Sequence, residues 1–200
     1  MTHRLITCAQ TVPQPWRNGG GLTRELLAWP PGDAWRLRIS VASIAADGAF
    51  SVFAGVQRWL VVLQGAGIEL TIDGAVHPLR LGDAPLGFAG SASTHCRLLD
   101  GPTQDLNLML RGLAGQLQIA LPGLVWHPVQ SAAAMAGLFS AVAGVCWADG
   151  VAIPVPTLAL LWFHTAPQTL RFEPAVSLAG SDQAPHPTGW WISAQPGAMA

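Results

Sequence analysis

Trp35-Arg36-Leu37-Arg38-Ile39-Ser40-Val41-Ala42 alternates strictly, with Trp35, Leu37, Ile39 and Val41 on one side and Arg36, Arg38, Ser40 and Ala42 on the other. A period of two is the signature of a β-strand with one face toward a core, and the pattern holds from Ala34 to Ala46. Ile68, Leu70 and Ile72 repeat it against Glu69, Thr71 and Asp73, and Asp73-Gly74 then supplies the left-handed residues of a tight hairpin. Thr94, Cys96 and Leu98 form a third stretch. Past the Asp100-Gly101-Pro102 turn, Leu106, Leu108 and Leu110 alternate with Asp105, Asn107, Met109 and Arg111. Short strands punctuated every 8 to 12 residues by Gly, Asp or Pro indicate an all-β sandwich or barrel.

Charge divides the chain. Its 200 residues carry 10 Arg, no Lys and 11 Asp or Glu, where roughly 50 charges would be ordinary. Residues 1–112 hold 17 of them, and the rest contains only Asp149, Arg171, Glu173 and Asp182. With half its residues apolar, the chain is far from the composition of disorder. A net charge of −1 with no basic run excludes binding to nucleic acid by phosphate neutralisation. The drier second part also reads as strands, such as Thr157 to His164 and Gly189 to Ser193, with an Ala-rich helical turn at Ser131 to Gly137. Two β halves, 1–112 and 113–200, are expected, the first carrying the pocket and the second serving as scaffold or interface.

No signal-peptide pattern opens the sequence, so a cytoplasmic protein is expected. The stretch from Gly112 to Ala148 lacks Asp, Glu, Lys and Arg but is rich in Ala, Gly and Ser and interrupted by Pro122 and Pro128, which argues against a membrane span. Cys8, Cys96 and Cys146 are odd in number and far apart, as expected of reduced thiols.

The densest polar cluster is Pro15-Trp16-Arg17-Asn18-Gly19-Gly20-Gly21-Leu22-Thr23-Arg24-Glu25. Three glycines in a row permit positive φ and close backbone approach, and they fit either a turn into an edge strand or a ligand loop. Neither a P-loop nor a dinucleotide-binding spacing is present. The six histidines are scattered, and no Ser or Cys stands in a nucleophile motif. What remains is a set of polar side chains on strand faces: Arg36, Arg38 and Ser40, then Arg58, then Asp105 and Asn107. In a closed or tightly packed sheet such groups either meet a ligand, meet one another or face solvent. Arg58 in a pocket would bind a carboxylate through its planar fork.

Trp16-Arg17-Asn18-Gly19-Gly20-Gly21 with Thr23-Arg24-Glu25, Trp35-Arg36-Leu37-Arg38-Ile39-Ser40, Ala46-Asp47-Gly48-Ala49-Phe50-Ser51, Gly55-Val56-Gln57-Arg58 and Asp105-Leu106-Asn107-Leu108-Met109 resemble, in order, the motifs of the HutD/Ves family. Beyond Gly112 the resemblance rests on chain length, Leu160-Leu161-Trp162-Phe163-His164 and Trp190-Trp191. It implies a cupin-like double β-barrel, a bicupin with little helix, in a bacterial cytoplasmic protein. It also implies a metal-free, cofactor-free regulator, or governor, of histidine utilisation. Such a regulator would bind a pathway intermediate such as N-formylglutamate, formiminoglutamate or urocanate.

Metal-binding cupins carry paired His and a Glu after the first glycine motif, whereas Arg58 to Gly65 contains neither. The motif positions carried over as ligand-binding are Asn18, Ser40, Phe50, Arg58, Asp105 and Asn107. Arg58 would take the ligand carboxylate, Asn18 and Asn107 its amide or formyl end, and Asp105 would either hold Arg58 in place or touch the ligand. No catalytic or metal-binding residue is assigned. The expected partner is a small-molecule carboxylate, with no nucleic acid and no membrane, and homodimerisation is left open. The alternatives are a metal-independent lyase, isomerase or hydrolase acting on a small carboxylate, and a structural or protein-interaction module.

Overall fold

In the computed structural model, which describes residues 2–175 and 186–197, nearly all regular structure is strand. The first strand is β1 (His3–Thr7), followed by a single 3-10 turn at Cys8–Gln10. Next come β2 (Gln14–Pro15), β3 (Gly21–Trp29), β4 (Leu37–Ile44), β5 (Gly48–Ala49), β6 (Val56–Gln64), β7 (Ile68–Ile72), β8 (Ala75–Leu79), β9 (Leu86–Ala89), β10 (Thr94–Leu98) and β11 (Thr103–Arg111). The remainder are β12 (Leu113–Ile119), β13 (Val125–Trp126), β14 (Met135–Ser140), β15 (Gly144–Ala148), β16 (Val151–Val155), β17 (Ala159–Phe163), β18 (Leu170–Pro174) and β19 (Gly189–Pro196).

The chain divides into two compact units. One is Thr11–Gly112; the other joins Met1–Gln10 to Leu113–Ala200. Sequence reading placed the first ten residues with the N-terminal half, but β1 pairs antiparallel with β17, His3 opposite Phe163 and Thr7 opposite Ala159. The His3 ring tilts against Phe163 with centroids 5.8 Å apart, and the Cys8 N–H donates to the Leu158 carbonyl. A charged terminal segment thus covers what would otherwise be the bare edge of an apolar strand. Ser131 to Gly137 is also not a helical turn throughout: Ala134 N–H closes one turn on the Ser131 carbonyl, and from Met135 the chain is the fully buried strand β14.

Thr11–Gly112 is built from a six-stranded sheet, order β2-β3-β4-β11-β6-β9, and a four-stranded sheet, order β5-β10-β7-β8. Their shared core takes Ile44, Leu60, Val62 and Phe88 from the first and Ile68, Leu70, Leu79 and Cys96 from the second. The hairpin joining β7 to β8 turns on Asp73 and Gly74, with φ of 46° and 86°. The other unit pairs a five-stranded sheet, β1-β17-β14-β19-β12, with a four-stranded sheet, β13-β18-β15-β16, around Leu138, Leu161, Phe163, Leu170 and Phe172. Each unit is thus two packed antiparallel sheets, not a cylinder closed by continuous hydrogen bonding. The uncharged run from Gly112 to Ala148 forms β12 to β15, and among the described residues no helix is long and apolar enough to cross a membrane.

Strands β4, β11 and β6 lie side by side in the middle of the six-stranded sheet and are buried on both faces. On one face Leu37, Ile39 and Val41 stand opposite Leu110, Leu108 and Leu106, all at most 2% exposed. The opposite face carries Arg38, Ser40 and Ala42 opposite Met109, Asn107 and Asp105. A central strand with polar residues on a buried face needs a physical reason, since burial of such groups is costly unless something pairs with them.

Candidate functional site

That polar face lines a cavity of about 400 Å³ in the Thr11–Gly112 unit. Register sets its floor in three rows across β4, β11 and β6: Arg38–Met109–Arg58, Ser40–Asn107–Leu60 and Ala42–Asp105–Val62. A bulge in β3, where Glu25 pairs with Ser40 and Leu27 with the adjacent Ile39, keeps Glu25 on the cavity side. Glu25 Oε2 there accepts a 2.7 Å hydrogen bond from Arg38 Nε.

The glycine cluster builds the rim. Trp16 N–H donates to the Gly21 carbonyl and Gly19 N–H to the Trp16 carbonyl, with Gly19 at φ 71°. Gly21 admits no side chain, because a Cβ there would lie 2.5 Å from the Ser43 carbonyl oxygen and 3.2 Å from the Trp16 ring. The turn therefore seats Trp16 as a wall. Its Nε1 donates to Thr23 Oγ1 at 2.7 Å, and its ring meets Phe50 edge-on at 6.3 Å.

The structure brings all six sequence-selected residues, Asn18, Ser40, Phe50, Arg58, Asp105 and Asn107, to the wall of this one cavity. They differ in circumstance. Asn18 is exposed at the rim, and its Oδ1 already accepts the Gly20 N–H at 3.0 Å, so its carbonyl serves the turn. Arg58, Asp105 and Asn107 are 5%, 1% and 7% exposed. Arg58 Nε, Asp105 Oδ1 and Asn107 Oδ1 are each buried without a hydrogen-bond partner. Arg36 lies elsewhere, with its Nη2 donating to the Gly112 carbonyl at 2.6 Å. Sequence reading missed the walls supplied by Trp16, Arg17, Phe53 and Met109. Three of them carried a signal: Trp16 and Arg17 stand in the glycine-rich cluster, and alternation places Met109 with Asp105 and Asn107.

Phe50, Phe53 and Phe88 surround the Arg58 guanidinium, with ring centroids 5.1, 5.9 and 5.0 Å from its central carbon. Such contacts hold the cation while leaving its in-plane N–H groups to a ligand. Burial lowers the Arg58 pKa to about 10, against the attraction of Asp105 and with the help of Arg38, so it stays charged at neutral pH. Burial pushes the Asp105 carboxyl up from 3.8 to about 7, with the Arg58 charge opposing the rise. The lining holds Arg17, Arg38 and Arg58 with Asp105, and because Glu25 neutralises Arg38, the balance rests on Arg17 and Arg58 against Asp105, which favours an anionic guest. Among the described residues no three His, Cys, Asp or Glu side chains gather as a metal site would require.

Two-sheet units of this kind define the cupin-like class. Protein Ylba of E. coli shares the fold, with a TM-score of 0.67 at 13% identity over 97% of this chain and 90% of that one. The chain belongs to the HutD family, whose sequence profile matches residues 9–175. It is 34% identical over 151 residues to Protein Ves of Citrobacter koseri, covering 68% of this chain and 78% of that protein. It is 43% identical over 113 residues to an uncharacterized 21.2 kDa protein in the hutC 3′ region of Pseudomonas putida, covering 54% of this chain and 59% of that protein. That alignment therefore spans less than two thirds of the relative's length. The solved structure of HutD from Pseudomonas fluorescens SBW25 superposes with a TM-score of 0.78 at 26% identity, over 98% of this chain and all of that one.

Proposed function

We propose that this protein is a small-molecule-binding regulator of histidine utilisation that holds a carboxylate intermediate of that route in the cavity of its Thr11–Gly112 unit. The supporting observation is the trio of buried polar atoms without partners, Arg58 Nε, Asp105 Oδ1 and Asn107 Oδ1, on one wall. Of the nine such atoms among the described residues, these three share one cavity, where a guest can complete their hydrogen bonding. Arg58 receives the carboxylate, and the aromatic residues around it supply apolar contact. The link to histidine utilisation comes from the family and from the relative located beside hutC. Calorimetric titration with N-formyl-L-glutamate, N-formimino-L-glutamate and urocanate tests the reading. Binding of at least one, lost in Arg58→Ala, is expected; no heat from any of the three overturns it.

A second reading, a metal-independent enzyme acting on a small carboxylate, is favoured by one observation. Asp105 titrates near 7 inside the cavity, where a general acid or base works best. Turnover of one of those compounds, abolished in Asp105→Asn, would establish it, and unchanged compounds after prolonged incubation would dismiss it.

A further inference from the structure

Arg58 brings N–H groups to the cavity wall, Asn107 an N–H2 group and Ser40 an O–H group. Asp105, on the same face of β11 as Asn107, brings acceptors alone while it is ionised. Its Oδ1 is buried without a hydrogen-bond partner, and the side chains beside it in its row, Ala42 on β4 and Val62 on β6, have no donor to give. Burial already pushes its carboxyl up to about 7, with the attraction of Arg58 on β6 opposing the rise. Arg38 on β4 is engaged by Glu25 on β3, and Arg17 is exposed at the rim. From the other sheet β10 contributes Cys96, a thiol that burial keeps protonated up to about 12, and Asp47 precedes β5 with its Oδ1 accepting the Leu98 N–H. Strand β7 adds the apolar Ile68 and Leu70 to that core, while His77 on the edge strand β8 pairs with Leu70, two strands away from Cys96. Asp105 is thus an acid desolvated in the same cavity as the cation assigned to the guest, and held to that cation by attraction at a distance rather than by a hydrogen bond.

We propose that a carboxylate guest and a proton bind to this cavity together, the guest on Arg58 and the proton on Asp105. This rests on the reading of the cavity as a carboxylate site and adds a second, linked occupant. A carboxylate on Arg58 offsets the positive charge that favours ionised Asp105, brings another negative charge into the cavity and displaces water. Each of these changes favours the neutral form of Asp105. Two carboxylates in one desolvated site resist being ionised at once, so the second takes a proton from the buffer. Once neutral, Asp105 has an O–H to donate, and it joins Arg58, Ser40 and Asn107 as a donor toward the oxygens of the guest. Linkage makes the effect reciprocal: the proton strengthens guest binding by the factor by which the guest strengthens proton binding. Acid therefore tightens binding. Above about pH 7, where the empty site has released its proton, affinity falls as pH rises.

The test counts protons. N-formyl-L-glutamate and trans-3-(2-furyl)acrylate are carboxylates with no group of their own titrating between pH 6 and 9, and each is titrated into the full chain by calorimetry. At pH 8, comparison of the heats in HEPES and in Tris, whose ionisation enthalpies differ, is expected to show about 0.5–1 proton taken up per guest bound. Affinity is expected to be roughly tenfold higher at pH 6.5 than at pH 8.5. In Asp105→Asn the uptake disappears and affinity no longer changes across that range. Binding by the unaltered protein with no proton taken up, which needs no variant to fold, overturns the inference and leaves the carboxylate reading standing. So does uptake that persists in Asp105→Asn. Failure of both compounds to bind at millimolar concentration overturns both.

Discussion

Arg58 and Asp105 reach one cavity from adjacent strands, β6 and β11, and leave Arg58 Nε and Asp105 Oδ1 without hydrogen bonds. Sequence reading allowed that Asp105 might hold Arg58 in place, and the structure records no hydrogen bond or ion pair between them among the described residues. Each charge is therefore desolvated without compensation from the other at contact distance. Uncompensated buried charges weaken a fold, and their concentration at one wall supports the proposal that this wall is kept for binding.

The carboxyl of Asp105 gives that cost a pH dependence. Its folded pKa is about 7, against roughly 3.9 in an unfolded chain. Between those values the native state holds a proton that the unfolded state has released, so this group's contribution to stability is present below about pH 4. It declines as pH rises to about 7. Replacing Asp105 with Asn removes the effect. In urea denaturation the stability gained by Asp105→Asn should be larger at pH 8 than at pH 5, by roughly 1–3 kcal/mol. An equal gain at both pH values would show that Asp105 is not buried as described.

Removing the cation separates binding from folding. Arg58→Gln deletes the donor fork but keeps a polar side chain among Phe50, Phe53 and Phe88. Affinity for any carboxylate ligand should fall about 100-fold, as expected for loss of a buried charged partner. The far-ultraviolet circular dichroism spectrum should be unchanged. Retained affinity would place the carboxylate elsewhere in the cavity.

The glycine cluster should respond unevenly to alanine. At Gly21 a methyl group would collide with the Ser43 carbonyl, which β4 holds in place, and with the Trp16 ring, so Gly21→Ala should cost about 2–4 kcal/mol. At Gly19 there is open space, and only the positive φ of 71° opposes the change, at about 1 kcal/mol. Gly21→Ala should also weaken ligand binding, because Trp16 is a cavity wall, and chemical denaturation combined with titration reads both effects. Equal costs at the two positions would contradict the close approach at Gly21.

Local periodicity exposed the strands because alternation is a property of neighbouring residues. Leu37, Ile39 and Val41 lie on one face of β4, and Asp73-Gly74 turns the β7–β8 hairpin. The pairing of β1 with β17 was hidden, since it joins residues more than 150 positions apart. The polar residues Ser40, Asp105 and Asn107 alternate as a solvent face would, and only tertiary packing shows that face to be buried. Family motifs picked out the six lining residues, but no one-dimensional pattern reveals that Asp105 and Arg58 occupy opposite ends of three rows. Register between β11 and β6, with its irregularity at Gln104/Asp105, decides that.

Thiol chemistry reports whether both units stay closed. Cys96 sits inside the core of Thr11–Gly112 and Cys146 inside that of the other unit, at 1% and 0% exposure. Burial pushes both thiols up to about 12, with Asp105 and Asp47 adding to the rise at Cys96. At pH 8 almost no thiolate forms at either, and a buried thiol of this kind is inert to disulfide exchange. A colorimetric disulfide reagent should leave Cys96 and Cys146 unmodified in the native protein over an hour, whereas unfolding in urea should release three equivalents of thiol. Mass spectrometry of the native reaction assigns any modified residue. Rapid labelling of Cys96 alone would mean that the two sheets of the Thr11–Gly112 unit open frequently, leaving Arg58, Asp105 and Asn107 without a rigid frame.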